Sequence, residues 1–181
     1  MSTPKFRYAV HADSEAVHLL IEAAYRSPAT AGQWDSEAHL LTGPRTSVDE
    51  VAALIADRDG RFIIAEIDGK LAGCCLLQRR SGSKSKDGAE AAYFGMFAID
   101  PAIRSVGLGK LILAEAERRV RQLWSSHAMV MTVISVRDQL IAWYERRGFH
   151  LTGHRIPFPF SETTGETTRD FDLVEMRKEL V

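Results

Sequence analysis

Apolar residues recur at helical spacing in several segments of the chain. In one of them Val17, Ile21 and Ala24 fall on one face, which is the pattern of a helix packed against a core. Another begins at Ser47 with Glu50 three residues on, which is a capping box that marks a helix start. The pattern predicts helices over 14–26, 47–57, 107–124 and 138–147, with a short helical stretch over 36–41.

Other runs alternate apolar and polar positions or are apolar throughout, and these predict strands. Two of them flank Asp68 and Gly69, a dipeptide that favours a two-residue hairpin turn. The run 93–99 is continuously apolar, which indicates burial on both faces, and Gly95 within it marks a bulge or a close approach to the backbone. The predicted strands are 6–10, 61–67, 70–80, 93–99, 129–135, 149–152 and 172–177, and the predicted irregular segments are 28–46, 81–89 and 155–169.

Composition narrows the class of protein. With 181 residues, 45% of them apolar, the chain fits one domain over residues 1–181. A net charge of −1 gives no electrostatic footprint for nucleic acid or an anionic membrane, and no apolar run is long enough to span a bilayer. The first residues carry no apolar signal segment, so we expect a cytoplasmic protein. We also expect it to be a monomer or a homodimer.

The cysteines and histidines do not form a recognisable site in the sequence. Cys74 and Cys75 are adjacent, so on a strand they point to opposite faces and cannot build a disulfide framework. The six histidines are scattered without ligand spacing. We therefore expect no metal.

The most informative segment joins a strand to a helix. The apolar run 93–99 ends at Asp100 and Pro101, a short polar loop follows, and Gly107 and Gly109 open a long amphipathic helix. A helix start offers unpaired N–H groups and partial positive charge, and glycine lets an anion approach the backbone. The sequence therefore predicts a phosphate site here, while an ordinary strand-to-helix turn packed through its glycines remains the alternative.

Two well-known phosphate loops are excluded by the residues that follow these glycines. A Walker loop needs Ser or Thr after its lysine, but Leu111 follows Lys110. A dinucleotide fingerprint needs a third small residue where this chain has Ile112.

A third pattern matches. Arg104-x-x-Gly107-x-Gly109, preceded by the residues 98–101, resembles the acyl-CoA loop of the GNAT superfamily of N-acetyltransferases. The segment 143–149 resembles the second signature of that family, a tyrosine (Tyr144) four residues before Gly-Phe. The resemblance implies an α/β protein with the GNAT-type fold, a central mixed, mostly antiparallel sheet of about seven strands flanked by about four helices.

The resemblance also implies a site. Acetyl-CoA would be the cosubstrate, Tyr144 the general acid facing its sulfur, and Gly95 the position of a strand bulge that lets the pantetheine arm enter the sheet. Val106 and Arg137 depart from the family, which often has a basic residue and an asparagine there. The implied cofactor-binding residues are Phe97, Ala98, Ile99, Arg104, Ser105, Val106, Gly107, Leu108, Gly109, Lys110, Arg137 and Tyr144.

The proton acceptor and the amine site are less defined. Tyr93 stands where many relatives carry a carboxylate and Glu90 is near it, so a bound water bridging to either of them or to Ser135 is the expected base. The resemblance places the acceptor between the segments 27–46 and 155–169. In the first of these we expect Trp34 to form a wall and Glu37 a polar contact.

These observations predict an acetyl-CoA-dependent N-acetyltransferase that acts on a small-molecule primary amine by direct transfer in a ternary complex. The charges of the flanking loops suggest an acceptor that is polar and zwitterionic. Two alternatives stay open. One is a protein N-terminal or lysine acetyltransferase, and the other is a non-catalytic acyl-CoA-binding module.

Overall fold

The structure, a computed structural model, describes residues 3–28, 36–84, 90–160 and 170–180, with the backbone alone at 80–84, 90 and 104–106. Four α-helices lie within these ranges: α1 Ser14–Arg26, α2 Val48–Ala56, α3 Leu108–Trp124 and α4 Asp138–Glu145. Seven strands accompany them: β1 Lys5–Tyr8, β2 Gly60–Ile67, β3 Lys70–Lys84, β4 Glu90–Ile99, β5 Ala128–Ile134, β6 His150–Pro157 and β7 Asp172–Glu179. None of the helices in the described ranges is long and apolar enough to cross a membrane.

The strands form one sheet in the order β1-β2-β3-β4-β5-β7-β6. Every neighbouring pair is antiparallel except β4 and β5, which run parallel. The predicted hairpin turn is confirmed, because Asp68 and Gly69 take φ values of 50° and 75° between β2 and β3. The predicted fold class, a mixed and mostly antiparallel sheet with helices, is confirmed.

Helices cover both faces of the sheet. On one face α1 and α2 pack through residues such as Ile21 and Val51, and on the other α3 packs through Ile112 and its neighbours. The adjacent cysteines confirm that side chains alternate between the two faces along β3. Cys74 packs in the core beneath α1 and α2, and Cys75 packs in the core beneath α3.

Several predicted elements were wrong in type or extent. The stretch 36–41 forms turns rather than a helix, and β3 continues through Lys84 into the segment expected to be a loop. Strand β6 runs on to Pro157, although the segment from Arg155 was expected to be irregular. Strand β6 lies at the sheet edge with mostly exposed side chains, so it shows no apolar period, and its backbone hydrogen bonds with β7 set its length instead.

The capping box at the start of α2 is formed in part. The Ser47 hydroxyl accepts a hydrogen bond of 3.1 Å from the Glu50 N–H, as the sequence predicts. The Glu50 carboxylate instead accepts a bond of 2.6 Å from the Thr46 hydroxyl.

Candidate active site

The sheet splits between β4 and β5. These parallel strands pair only at Ala92 with Met129 and at Tyr93 with Val130, after which β5 continues alongside β7 and β4 alongside β3. The β4 backbone beyond Tyr93 therefore borders a gap on its β5 side.

A bulge in β4 accompanies the split, and it centres on Met96 rather than on Gly95. The pairing of β3 with β4 shifts register between Cys74 and Leu76, and Met96 takes a φ of 44°, which is left-handed backbone that a methionine rarely adopts. As a result Phe94 and Met96, only two residues apart, contribute to the cores on opposite faces of the sheet.

Gly95 serves a local purpose. A Cβ atom at this position would lie 2.7 Å from Cε1 of the Tyr93 ring. The missing side chain makes room for that ring, whose hydroxyl lies 3.2 Å from the Thr132 hydroxyl on β5.

Two cavities meet at the split, enclosing about 900 and about 1030 Å³ of space with open solvent included. We call the one bordered by Gly107 and Gly109 the loop cavity, and the one bordered by Glu37, Tyr93 and Thr132 the sheet cavity. Five residues line both cavities: Tyr25, Phe97, Arg137, Leu140 and Tyr144.

The two glycines of the loop cavity do different things. Gly107 closes the 3₁₀ segment Pro101–Val106 with a φ of 72°, and apart from its chain neighbours no described heavy atom lies within 4 Å of where its Cβ would be. Gly109 is buried, and its Cβ would lie 3.2 Å from Cδ1 of Ile99 and 3.3 Å from Cζ of Phe97. Gly107 thus leaves open space at the start of α3, whereas Gly109 lets α3 pack against the end of β4.

The predicted cofactor residues lie largely together. Phe97, Ala98, Ile99 and Lys110 line the loop cavity. Leu108 is buried in the core at the start of α3. The side chains of three others, Arg104, Ser105 and Val106, lie outside the described part of the chain.

Arg147 also lines the loop cavity, and the sequence analysis missed it. Its guanidinium carbon stands 3.3 Å from the centroid of the Trp143 ring, and its Nη1 donates to the Trp143 carbonyl oxygen. Its Nε is buried and donates to no described residue, and burial lowers the pKa of the guanidinium. The helical spacing of Arg147 from Trp143, four residues, was a signal that could have found it.

Tyr144 lies on α4 between the two cavities. Its ring makes edge-on contacts with Trp143 and Phe149, with centroid separations of 5.0 and 5.7 Å. Burial raises the pKa of its hydroxyl well above the ordinary value, so the group keeps its proton at neutral pH. No described residue hydrogen-bonds to that hydroxyl, which leaves it available to a ligand.

Tyr25 is a second residue that the sequence analysis missed. Its hydroxyl donates a hydrogen bond of 2.9 Å to the carbonyl oxygen of Phe97, and burial raises its pKa to about 12. Tyr25 stands four residues after Ile21, so the apolar face of α1 already pointed to a partly buried position here.

A charged cluster closes the sheet cavity. The two carboxylate oxygens of Glu37 accept hydrogen bonds from Arg26 Nη1 at 2.7 Å and from Arg137 Nη1 at 3.0 Å. Burial alone would raise the pKa of the Glu37 carboxyl, but Arg137, Arg45 and Arg26 outweigh it and hold that pKa below its usual value. Arg45 lies over the Tyr25 ring, 5.4 Å from its centroid.

The other predicted site residues, Trp34, Glu90 and Ser135, have no described side-chain contact with either cavity. Trp34 lies outside the described residues, and so does the side chain of Glu90, whose backbone begins β4. The Ser135 hydroxyl accepts a hydrogen bond from the Asp172 N–H. No group of three or more potential metal ligands occurs among the described residues.

Comparison with known protein families gives a match for this chain. The model of the acetyltransferase (GNAT) family matches residues 29–149, which is more than half of the chain. No curated protein matches the sequence.

Solved structures match the whole fold at low identity. A spermidine N-acetyltransferase chimera from Vibrio cholerae and the human enzyme is 18% identical with a TM-score of 0.69, over 98% of this chain and 96% of that one. The ribosomal-protein-S18-alanine N-acetyltransferase from Escherichia coli is 16% identical with a TM-score of 0.70, over 98% and 94%. A Salmonella typhimurium protein described as a candidate acetyltransferase, solved with its cofactor acetyl-CoA, is 20% identical with a TM-score of 0.68, over 99% and 95%.

Together with the paired motifs around Gly107 and Tyr144, the family match shows that this chain belongs to the GNAT family of N-acetyltransferases.

Proposed function

We propose that this protein transfers an acetyl group from acetyl-CoA directly to the primary amine of a small molecule. The observation that carries the proposal is the position of Tyr144, whose ring lines both the loop cavity and the sheet cavity at the split between β4 and β5. A reaction between two bound substrates needs such a junction, with a proton donor beside it.

The loop cavity fits acetyl-CoA. Gly107 leaves space free at a helix start, where backbone N–H groups and the helix dipole favour phosphate. Lys110 and Arg147 add positive charge to the same cavity. No described residue accepts a hydrogen bond from the buried Nε of Arg147, and a phosphate oxygen would be a suitable acceptor. The β4 backbone at 97–99 would pair with the amides of the cofactor arm. Acetyl-CoA supplies an activated thioester to an attacking amine.

Tyr144 would act as the general acid. A departing thiolate needs a proton, and the raised pKa of this hydroxyl ensures that a proton is present on its oxygen. Cys74 and Cys75 are fully buried in the core, and burial raises the pKa of both thiols. This supports direct transfer over an acetylated cysteine, because a buried protonated thiol is a poor nucleophile.

The amine must be deprotonated before it attacks. For an amine with a pKa near 10 this costs about 4–5 kcal/mol at pH 7. The hydroxyls of Tyr93 and Thr132, 3.2 Å apart, line the sheet cavity and would hold a water that relays the proton outward. Glu90 stays the candidate for the final acceptor.

The proposal is tested by the release of the CoA thiol from acetyl-CoA in the presence of candidate acceptors. The panel contains small primary amines, and peptides with a free N-terminus or a lysine. Turnover with small amines and none with peptides would support the proposal. Turnover with peptides alone would favour a protein acetyltransferase, and tight CoA binding without any turnover would favour a binding module.

A further inference from the structure

We propose that the acceptor carries a carboxylate as well as its amine, and that Arg137 binds this carboxylate in the sheet cavity. The acceptor class is therefore that of the amino acids. The inference rests on the proposed function, since it names the substrate of the same site.

The described lining of the sheet cavity carries a net positive charge. Three arginines line the sheet cavity, Arg26, Arg45 and Arg137, and Glu37 is the one acidic residue among its described lining. Glu37 is ionised and both of its oxygens are already held by arginines. Among the described lining, two positive charges therefore remain in excess and no carboxylate is free for a cationic group, which favours an anionic ligand.

Arg137 presents one unpaired edge of its guanidinium. Its side chain is only 5% exposed, and its Nη1 is bound to Glu37. Its Nε and Nη2 are buried, and no residue in the described part of the chain accepts a hydrogen bond from either. These two N–H groups form the side-on edge of a guanidinium, which matches the two oxygens of a carboxylate.

Glu37 acts as a positioning residue for this edge. It holds Nη1 of Arg137 at 3.0 Å while Arg26 fixes its second oxygen at 2.7 Å. The guanidinium plane is therefore set before any ligand binds, so a carboxylate that reaches this buried edge would cost little further side-chain entropy. Buried donors without partners are unfavourable, and an arriving carboxylate would satisfy both.

The other residues that line the sheet cavity indicate the size and polarity of the rest of the acceptor. Its lining mixes apolar residues, such as Met131, Ile134, Phe158 and Leu173, with polar ones, and more of its surface is polar than apolar. A compact molecule with one carboxylate fits this mixture better than an extended polyamine or a polyanion does.

The experiment compares amino acids with their own carboxamides as acceptors. Each pair shares size and amine, and only the acid carries the negative charge. The carboxamide also has the more easily deprotonated amine, so chemistry alone would favour it. We expect kcat/KM for the acids to exceed that for the amides by at least about tenfold.

Variants assign the preference to Arg137. In Arg137→Gln we expect kcat/KM for the acid to fall at least about tenfold and that for the amide less than threefold, so that the preference disappears. Arg137→Lys keeps the charge and can still pair with Glu37, so it should retain part of the preference. This variant also shows whether the effect of Arg137→Gln comes from loss of the charge or from misfolding. Arg118→Gln is the control, because Arg118 is paired with Glu115 on the exposed face of α3.

Binding is measured independently of turnover by calorimetry with free amino acids on the protein saturated with CoA. Binding of the acids but not of the amides, together with the loss of acid binding in Arg137→Gln, supports the inference even where no acetylation occurs. In that case only the proposed function fails. Equal turnover of acids and amides, or an acid preference retained in Arg137→Gln, overturns the inference while acetyl transfer stands. Failure of every carboxylate to bind overturns it whatever the turnover.

Discussion

The Tyr25 hydroxyl donates a hydrogen bond of 2.9 Å to the carbonyl oxygen of Phe97, and this bond ties α1 to β4 beside the split in the sheet. The two residues are 72 positions apart in the chain. The bond fixes the wall that the loop cavity and the sheet cavity share.

Replacement of Tyr25 by phenylalanine removes this bond and keeps the ring. We expect the free energy of unfolding at pH 7 to fall by about 0.5–3 kcal/mol, the upper figure applying if the Phe97 carbonyl stays unpaired. Chemical denaturation measures this value. A variant as stable as the wild type would show that the bond contributes nothing.

The same pair gives a pH dependence. Because burial raises the pKa of Tyr25 from 10.0 to about 12, its contribution to stability is complete below pH 10 and is lost as the pH rises toward 12. The stability difference between wild type and Tyr25→Phe should therefore shrink over that interval. A difference that stays constant from pH 9 to pH 11.5 would contradict the raised pKa.

The open space at Gly107 allows a matched test of the phosphate site. Asp and Asn both tolerate the φ of 72° at this position, and they differ in charge while sharing a shape. We expect Gly107→Asp to lower the affinity for CoA at least about tenfold more than Gly107→Asn does, because its carboxylate would face phosphate. Calorimetry decides, and equal affinities of the two variants would place the phosphates elsewhere.

Glu37 should stabilise the fold as well as orient Arg137. Glu37→Gln leaves two buried guanidinium groups without their shared carboxylate, and we expect a loss of about 3–5 kcal/mol at pH 7. Asp172→Asn breaks an exposed pair with Arg155 and is the control, with a much smaller loss.

Acid should remove the contribution of Glu37. Its folded pKa lies below the ordinary 4.5, so its stabilisation is present above that pH and disappears as the pH falls through the lower, folded value. The stability of Glu37→Gln should then approach that of the wild type in acid. A gap that widens below pH 4.5 would mean that Glu37 is protonated in the folded protein.

Local patterns predicted much of the fold and part of the site. The hairpin turn at Asp68 and Gly69, the buried strand β4 and the helix after Gly107 follow from turn chemistry and apolar period. Tyr144 and the glycines were found because their motif is local in the chain.

The contacts between distant residues were not predictable in this way. Glu37 and Arg137 are 100 positions apart, and nothing near either of them indicates the other. The bulge at Met96 arises from the register between β3 and β4, so the sequence directed attention to Gly95, where glycine instead makes room for a neighbouring ring. Such features depend on tertiary packing rather than on local preference.

The most direct test of the account compares wild type and Tyr144→Phe in acceptor-dependent release of CoA from acetyl-CoA, once an acceptor is found. Phenylalanine keeps the contacts of the ring and removes only the proton donor. We expect kcat to fall by about 10²–10⁴-fold while the affinity for CoA changes less than threefold, with single-turnover rates falling in parallel. A variant with the single-turnover rate of the wild type would contradict the assignment of Tyr144 as the acid at the junction of the two cavities.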